Sequence, residues 1–310
     1  MTKARENSDY TGLAAGIVAG DTAARAGRKN LIINGGFDVW QRGTSGTKAV
    51  NGWASGYIAV DRWHTYGADT TQTKSSSTVG TDLVNTLKIS GSGTNKLCTH
   101  AIENGSRLIS GKDVTLSFYI RATTATESLS LNARFGTSLA GDSGDLSIGT
   151  VTTTTSWVKH AISFNVTDPS VNTTRHAMLR IASSAEEDFE IAQVQLELGS
   201  VATDFEHRSY GEELALCQRY YTNMEYQKGG SVLGFTGDVT SGSSYHLSFS
   251  FPTQMRATPS LTWSSWVSVG FPANVTFQET GVNGSNYYAT AIQSGASKYF
   301  LGGYIADAEL

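Results

Sequence analysis

From residue 29 onward one pattern recurs along the chain. Val114, Leu116, Phe118 and Ile120 alternate with Thr115, Ser117, Tyr119 and Arg121. Successive side chains of a strand point to opposite faces, so alternation of period two predicts a strand with one face buried. Leu129, Leu131, Ala133 and Phe135 repeat the pattern. So do Val158, His160, Ile162, Phe164 and Val166, and then Ala177, Leu179 and Ile181. The stretch 141–149 supplies Gly, Asp and Ser for turns. Strands that recur with loops and no helices between them predict an all-β fold of the sandwich or jelly-roll kind.

One strand changes phase. Phe189 and Ile191 flank Glu190, whereas Val194, Leu196 and Leu198 alternate with Gln193, Gln195 and Glu197. A one-residue slip turns every later side chain to the other face, so a β-bulge is predicted near Ala192 and Gln193.

Helical signals are confined to one place. Ser209 and Glu212 have capping-box spacing, and Tyr210, Leu214, Cys217 and Tyr221 share one helical face, which predicts a short helix over 208–221. Residues 222–243 are rich in Gly and Ser and mark a boundary. Strand patterns then return at Leu247, Phe249 and Phe251, at Val275 and Phe277, and at Tyr299, Leu301 and Tyr304. A smaller β-sandwich domain is expected over 222–310, after a jelly roll over 29–207. Residues 1–28, with Lys3, Arg5, Glu6 and many Ala and Gly, have no alternation and are expected to form an attachment arm.

Composition narrows the functions. Of 310 residues only 16% are charged, and the net charge is -4. A chain so poor in Glu, Lys and Arg lacks the residues that build helix surfaces. Without a Lys/Arg cluster, nucleic acid is not an expected partner. No apolar run approaches the ~18 residues of a membrane helix, and Glu6 and Asp9 argue against a secretion signal. Cys98 and Cys217 make neither a disulfide framework nor a metal site.

The run NLIINGGFDVWQRG (30–43) resembles the first strand of jelly-roll carbohydrate-binding modules. Together with DRW (61–63) and FEIAQVQLELGSVATDFEHRSYGEELALCQRYY (189–221), it is similar to the carbohydrate-module-like domain of tailed-bacteriophage tail fibre proteins. YHLSFSFPTQMRATPSL (245–261) and the terminal YIADAEL (304–310) resemble the small domain that follows it in such fibres. The resemblance implies a homotrimeric structural protein of the virion tail, assembled in the host cytoplasm. It would be joined to other tail proteins through residues 1–28 and would adsorb to bacterial surface polysaccharide. A head-decorating fibre or other virion appendage, or a cellular carbohydrate-binding protein or glycan-active hydrolase or esterase, are the alternatives. Trimerisation also has a physical motive, since open β-domains leave sheet edges and aromatics to cover.

Sugar recognition uses flat aromatic side chains, with amides and carboxylates for the hydroxyls. Trp53, Tyr57, His64 and Tyr66 lie within or beside a Gly-, Ser- and Thr-rich loop, whereas Trp40 and Trp63 read as core plugs. In the terminal domain Trp263 with Trp266 and Tyr287 with Tyr288 are further candidates. Strand geometry there predicts at least one member of each pair to be exposed or at a subunit contact, and the receptor contact is expected mainly in this domain. Related carbohydrate modules hold a structural Ca²⁺ near their opening and closing motifs. Asn34, Asp38, Asp188 and Glu190 are the oxygen donors at those places, but Ala192 and Gln193 stand where acidic residues are usual. No other cofactor is implied.

Gly141-Asp142-Ser143 and Asp204-x-x-His207 resemble the first and last blocks of GDSL-type esterases. That fold needs helices between its strands, which the pattern lacks. Asp38, Asp61, Glu103 and Asp113 are scattered carboxylates with no visible pairing for glycoside hydrolysis. The chain is expected to bind rather than to catalyse.

Overall fold

The computed structural model describes residues 28–53, 56–92, 96–124, 128–140, 143–170, 175–183, 187–224, 233–272 and 275–310. The arm expected over 1–28 lies outside these residues, apart from Arg28. Two compact units divide the chain. The first takes residues up to Asp38 and Gly43–Arg208, and the second takes Val39–Arg42 with Ser209–Leu310.

The first unit contains β1 (Ser45–Thr47), β2 (Trp63–Thr65), β3 (Thr70–Val79), β4 (Asp82–Gly91), β5 (Leu97–Ile102), the helical turn α1 (Gly105–Ile109), β6 (Asp113–Ala122), β7 (Ser128–Gly136), β8 (Leu146–Thr152), β9 (Val158–Asn165), β10 (His176–Ser183) and β11 (Phe189–Leu198). A six-stranded sheet of order β1-β3-β4-β11-β6-β9 faces a five-stranded sheet of order β2-β5-β10-β7-β8, and all pairs are antiparallel. From β4 onward the chain passes between the sheets in jelly-roll fashion. The alternation read from sequence sets the core. Leu116, Phe118 and Ile120 of one sheet and Leu129, Leu131 and Phe135 of the other are buried, with Leu87, Ile89, Ile181 and Phe189. Each such side chain contributes roughly 1.5–3 kcal/mol by leaving water.

The bulge in β11 is where the phase change placed it. Ala192 pairs with Tyr119 but Gln195 pairs with Ser117, and Gln193 takes φ 50. A bulge leaves ladder groups unpaired, and here the opening segment satisfies them. Gly35 O accepts from Val194 N at 2.9 Å, and the Asn30 amide donates to Val194 O at 3.1 Å. Asn30 Oδ1 accepts from Leu196 N at 3.1 Å and from Ile32 N at 2.9 Å. Beyond the bulge Gln195 and Glu197 face away from the core, where Glu197 accepts from Thr203 N at 2.8 Å and Gln195 Oε1 from Glu206 N at 2.8 Å. Residues 203–206 thus cover polar side chains that would otherwise be buried without partners.

Trp63 is a core residue, 1% exposed, and its indole N–H donates to Asn34 O at 3.0 Å. Trp40 differs from the expected plug. It is half-buried and falls in the second unit with Gln41 and Arg42. There Gln41 Nε2 donates to Tyr221 O at 2.7 Å, and the Arg42 guanidinium lies 3.4 Å from the Tyr221 ring centroid.

The second unit contains α2 (Tyr210–Gln218), β12 (Tyr221–Met224), β13 (Leu233–Val239), β14 (Ser244–Ser250), β15 (Ser260–Val269), β16 (Thr276–Gln278), β17 (Gly284–Thr290) and β18 (Gly295–Asp307). Strands β12 and β13 follow one another along one edge of β18, β15 pairs with its other edge, and β14-β17-β16 form the opposing sheet. Ser209 caps α2, its side chain accepting from Glu212 N at 3.3 Å. The buried stripe is rotated from the one expected. Glu213 and Cys217 face inward and Tyr210 is exposed, because Tyr221 leaves the helix to begin β12.

An added methyl at Gly35 would lie 2.1 Å from Val194 O. Gly35→Ala is therefore expected to lower stability by about 1–3 kcal/mol or more through overpacking, read as a lower urea midpoint with an unchanged m-value.

Candidate functional site

The side chains that point away from the core on the five-stranded sheet form the floor of a groove. Pairing aligns His64 of β2, Thr99 of β5, Arg180 of β10 and Asn132 of β7 in one row. Neighbouring rows add Ser130, Ala182 and Arg134. The groove has a volume of about 410 Å³ and is walled by Trp53, Tyr66 and Asp145.

The wall comes from a loop zipped onto β2. Gly52 N donates to Tyr66 O at 3.1 Å and Thr65 N to Gly56 O at 2.9 Å. This needs glycine at 56, where a Cβ would lie 2.0 Å from His64 Nε2 and 2.4 Å from Thr65 O. The closure sets Trp53 against His64, with ring centroids 5.4 Å apart and planes at 28°. His64 Nε2 also meets Trp53 O at 2.8 Å. Tyr66 lies 4.9 Å from the Trp53 ring, and Tyr57 meets His64 edge-on at 5.3 Å.

Charge is concentrated on the other side. The Arg180 guanidinium lies 5.1 Å from the Trp53 centroid and that of Arg134 at 6.0 Å. Asp145 Oδ1 lies 2.8 Å from Arg134 Nε as an ion pair and accepts a hydrogen bond from Arg180 Nη1. Burial draws the Arg180 pKa down, Asp145 opposes that shift, and Arg134 adds to it.

The sequence candidates therefore divide. Trp53 and Tyr66 line the groove half-exposed. His64, expected as a sugar contact, is fully buried and serves as the platform beneath Trp53. Tyr57 packs on His64 instead of lining the groove. Asn132, Arg134, Asp145 and Arg180, which are not among the sequence candidates, line the groove with Trp53 and Tyr66. Their signal was available in the polar half of the same alternation, at 130, 132 and 134 and at 180.

The terminal pairs behave differently. The register of β15 on β18 shifts between Trp263 and Ser265, so both indoles face the same side. Trp263 stacks on Phe277 at 4.4 Å and Trp266 on Phe300 at 5.3 Å, and their N–H groups donate to Val275 O and Pro272 O. Both indoles are half-buried on one face instead of on opposite faces, because the bulge cancels the odd spacing. Tyr287 is buried, whereas Tyr288 faces outward and stacks on His246 at 5.2 Å.

The four oxygen donors proposed for calcium are not brought together. Asn34 binds Asp61 O, Asp38 accepts from Asn85 at 2.7 Å, Asp188 pairs with Lys96 at 2.7 Å and Glu190 with Arg121 at 3.0 Å. Among the described residues no three His, Cys, Asp or Glu are grouped to hold a metal, and no helix is long and apolar enough to cross a membrane. Gly141 and Asp142 of the esterase-like block lie outside the described residues. Ser143 is bound to the backbone at the end of β7, whereas Asp204 and His207 border a depression of about 230 Å³ on the six-stranded sheet.

No family model matches the chain. No curated protein matches it either. Solved structures that resemble it include the CBM22-1–GH10 modules of Clostridium thermocellum endo-1,4-beta-D-xylanase 10B complexed with xylohexaose, at 18% identity and TM-score 0.37. That match covers 51% of this chain and 29% of the xylanase chain. The CBM22-1 xylan-binding domain of Paenibacillus barcinonensis matches at 13% identity and TM-score 0.36, over 53% of this chain and 97% of the domain. The enzymatically active domain of bacteriophage CBA120 tailspike protein 4 matches at 18% and 0.34, over 49% of this chain and 22% of that one. Likeness at this level leaves the ligand to be read from the groove itself.

Burial holds the His64 imidazole down to about 4 against an ordinary 6.5. Between those values the unfolded chain binds a proton that the folded chain does not, so the stabilisation is complete above pH 6.5 and declines as pH falls towards 4. Buried His100 is shifted the same way. His64→Gln is expected to shrink, without abolishing, the loss of urea midpoint between pH 7.5 and about pH 5.

Proposed function

We propose that the chain is a glycan-binding structural protein of a bacteriophage tail fibre, which holds bacterial surface polysaccharide in the groove of its first unit. The observation that carries this reading is the groove wall. Trp53 and Tyr66 are half-exposed, fixed by a zipped loop and a buried histidine, and face a floor with an amide, hydroxyls and guanidinium groups. A concave site with aromatic walls and a few convergent polar groups suits a sugar, whose C–H faces are apolar and whose rim is hydroxylated. Preorganisation limits the entropy lost on binding. Asp145 is the one carboxylate lining this groove among the described residues. That supports binding over two-carboxylate hydrolysis.

This reading puts the principal site in the first unit; in the terminal one Trp263 and Trp266 are partly buried against the core, with their indole N–H groups already bound to backbone carbonyls. The terminal unit instead offers an apolar stripe for self-association. Val267 and Val269 of β15 are 44% and 41% exposed, and they pair with Leu301 and Tyr299 of β18. A homotrimer formed through this stripe would present three grooves, so that weak contacts act together. Residues 1–28 would join the trimer to the virion.

Trp53→Ala is expected to weaken saccharide binding by about tenfold or more, as for loss of an aromatic anchor, with the far-ultraviolet β signal retained at about 25 °C. Binding equal to wild type on an immobilised glycan panel would overturn the assignment. Light scattering should give three times the chain mass, and Val267→Glu with Val269→Glu should reduce it to one. A wild-type monomer at micromolar concentration would refute the trimer.

A further inference from the structure

Resting on the glycan-binding reading, we infer that the groove selects saccharides carrying a carboxylate. Two guanidinium groups, Arg134 and Arg180, face a single carboxylate, Asp145, so the groove is cationic within a chain of net charge -4. Both arginines are largely withdrawn from solvent, with side chains 19% and 12% exposed, while Asp145 is 44% exposed. The cations are thus fixed in the floor and the anion stands at the rim.

Their donors are unevenly used. A guanidinium carries five N–H groups. Arg180 gives one to Asp145, and its Nε is buried with no hydrogen-bond partner among the described residues. Arg134 Nη1 donates to Ala140 O, and its Nε, ion-paired with Asp145 at 2.8 Å, is likewise buried with no hydrogen-bond partner among the described residues. Asn132 and the half-exposed Tyr66 line the same groove as the two guanidinium groups. Contact with Trp53 holds Arg180 in one orientation, which leaves less side-chain freedom to lose when a ligand binds. The protein's own Asp145 shows what the pair accepts, because one carboxylate oxygen already bridges both cations. Planar guanidinium groups match carboxylates in bidentate geometry. A sugar acid can therefore meet the donors that Asp145 leaves open, while its ring rests against Tyr66 and Trp53.

Asp145 also sets the strength of the preference. Its charge cancels part of the field that attracts an acidic sugar, so its removal should strengthen that attraction. Its exposure makes Asp145→Asn a variant expected to fold.

The test uses the full-length chain on an array of neutral, hexuronate-bearing, sialylated, sulfated and phosphorylated oligosaccharides. Each carboxylate-bearing sugar is paired with its carboxyl-reduced form. Retention on acids, lost about tenfold on carboxyl reduction and weakened by added salt, is the expected result. Arg180→Gln should lower acid binding by a similar factor, and Asp145→Asn should raise it several-fold. Equal binding to neutral and acidic sugars, abolished by Trp53→Ala, would overturn the carboxylate preference and leave the glycan reading intact. Preference for sulfated or phosphorylated sugars over carboxylates would do the same. Retention of no sugar at all would overturn both.

Discussion

The bulge in β11 is the constraint on which much of the first unit depends. A strand at the centre of a six-stranded sheet cannot leave its amide and carbonyl groups unpaired in the interior. Gln193 in the left-handed region breaks the ladder, and Asn30 and Gly35 close it again. The opening run and the closing strand are therefore one structural device separated by some 160 residues of sequence. This gives those residues a role in backbone pairing that asks nothing of a ligand. The same bulge turns Gln195 and Glu197 outward, where residues 203–206 fold over them and complete the covering of that sheet.

The other sheet is what the first one leaves free. Its inner face is taken by Leu129, Leu131 and Phe135, so the intervening positions have to project outward. Polar residues there cost little in water, and antiparallel pairing brings side chains from successive strands into rows. His64, Thr99, Arg180 and Asn132 make one such row. The loop zipped at Gly52 and Gly56 then buries the His64 end and leaves the Asn132 end open. A groove results where a flat sheet face would otherwise have been. Its closed end is rigid for a plain reason: an uncharged imidazole, an indole and a backbone carbonyl pack together with little room to move.

Much of this was legible in the chain. Alternation over 114–121 and 129–135 located strands and core. The phase change at Ala192 and Gln193 located the bulge, and Ser209 located the cap. What escaped was long-range in origin. Nothing local to 263–266 announces a second bulge, since Ser264 and Ser265 suit a regular strand as well. Asp188 and Glu190 look available as ion ligands until the fold brings Lys96 and Arg121 beside them. Arg134, Asp145 and Arg180 lie on three different segments and become one cluster only through strand pairing. The groove floor comes from the polar positions of β7 and β10, and none of these positions holds an aromatic residue to mark it in the sequence.

The fate of the terminal aromatics follows from size. A unit of little more than 100 residues buries a smaller share of its surface than a larger one and needs large side chains to build a core. Partly buried Phe235, Trp263, Trp266 and Phe277 pack against buried Tyr287 and Phe300, several of the pairs edge to face. Such packing adds roughly 0.5–1.5 kcal/mol per pair beyond area burial. Indole groups held this way, with both N–H groups bound to backbone carbonyls, are costly to withdraw for a ligand. The first unit has no such shortage. Its aliphatic core is extensive, so Trp53 and Tyr66 are not required there and can stand in a groove. The different placement of aromatic side chains in the two units thus follows from how much aliphatic core each can build.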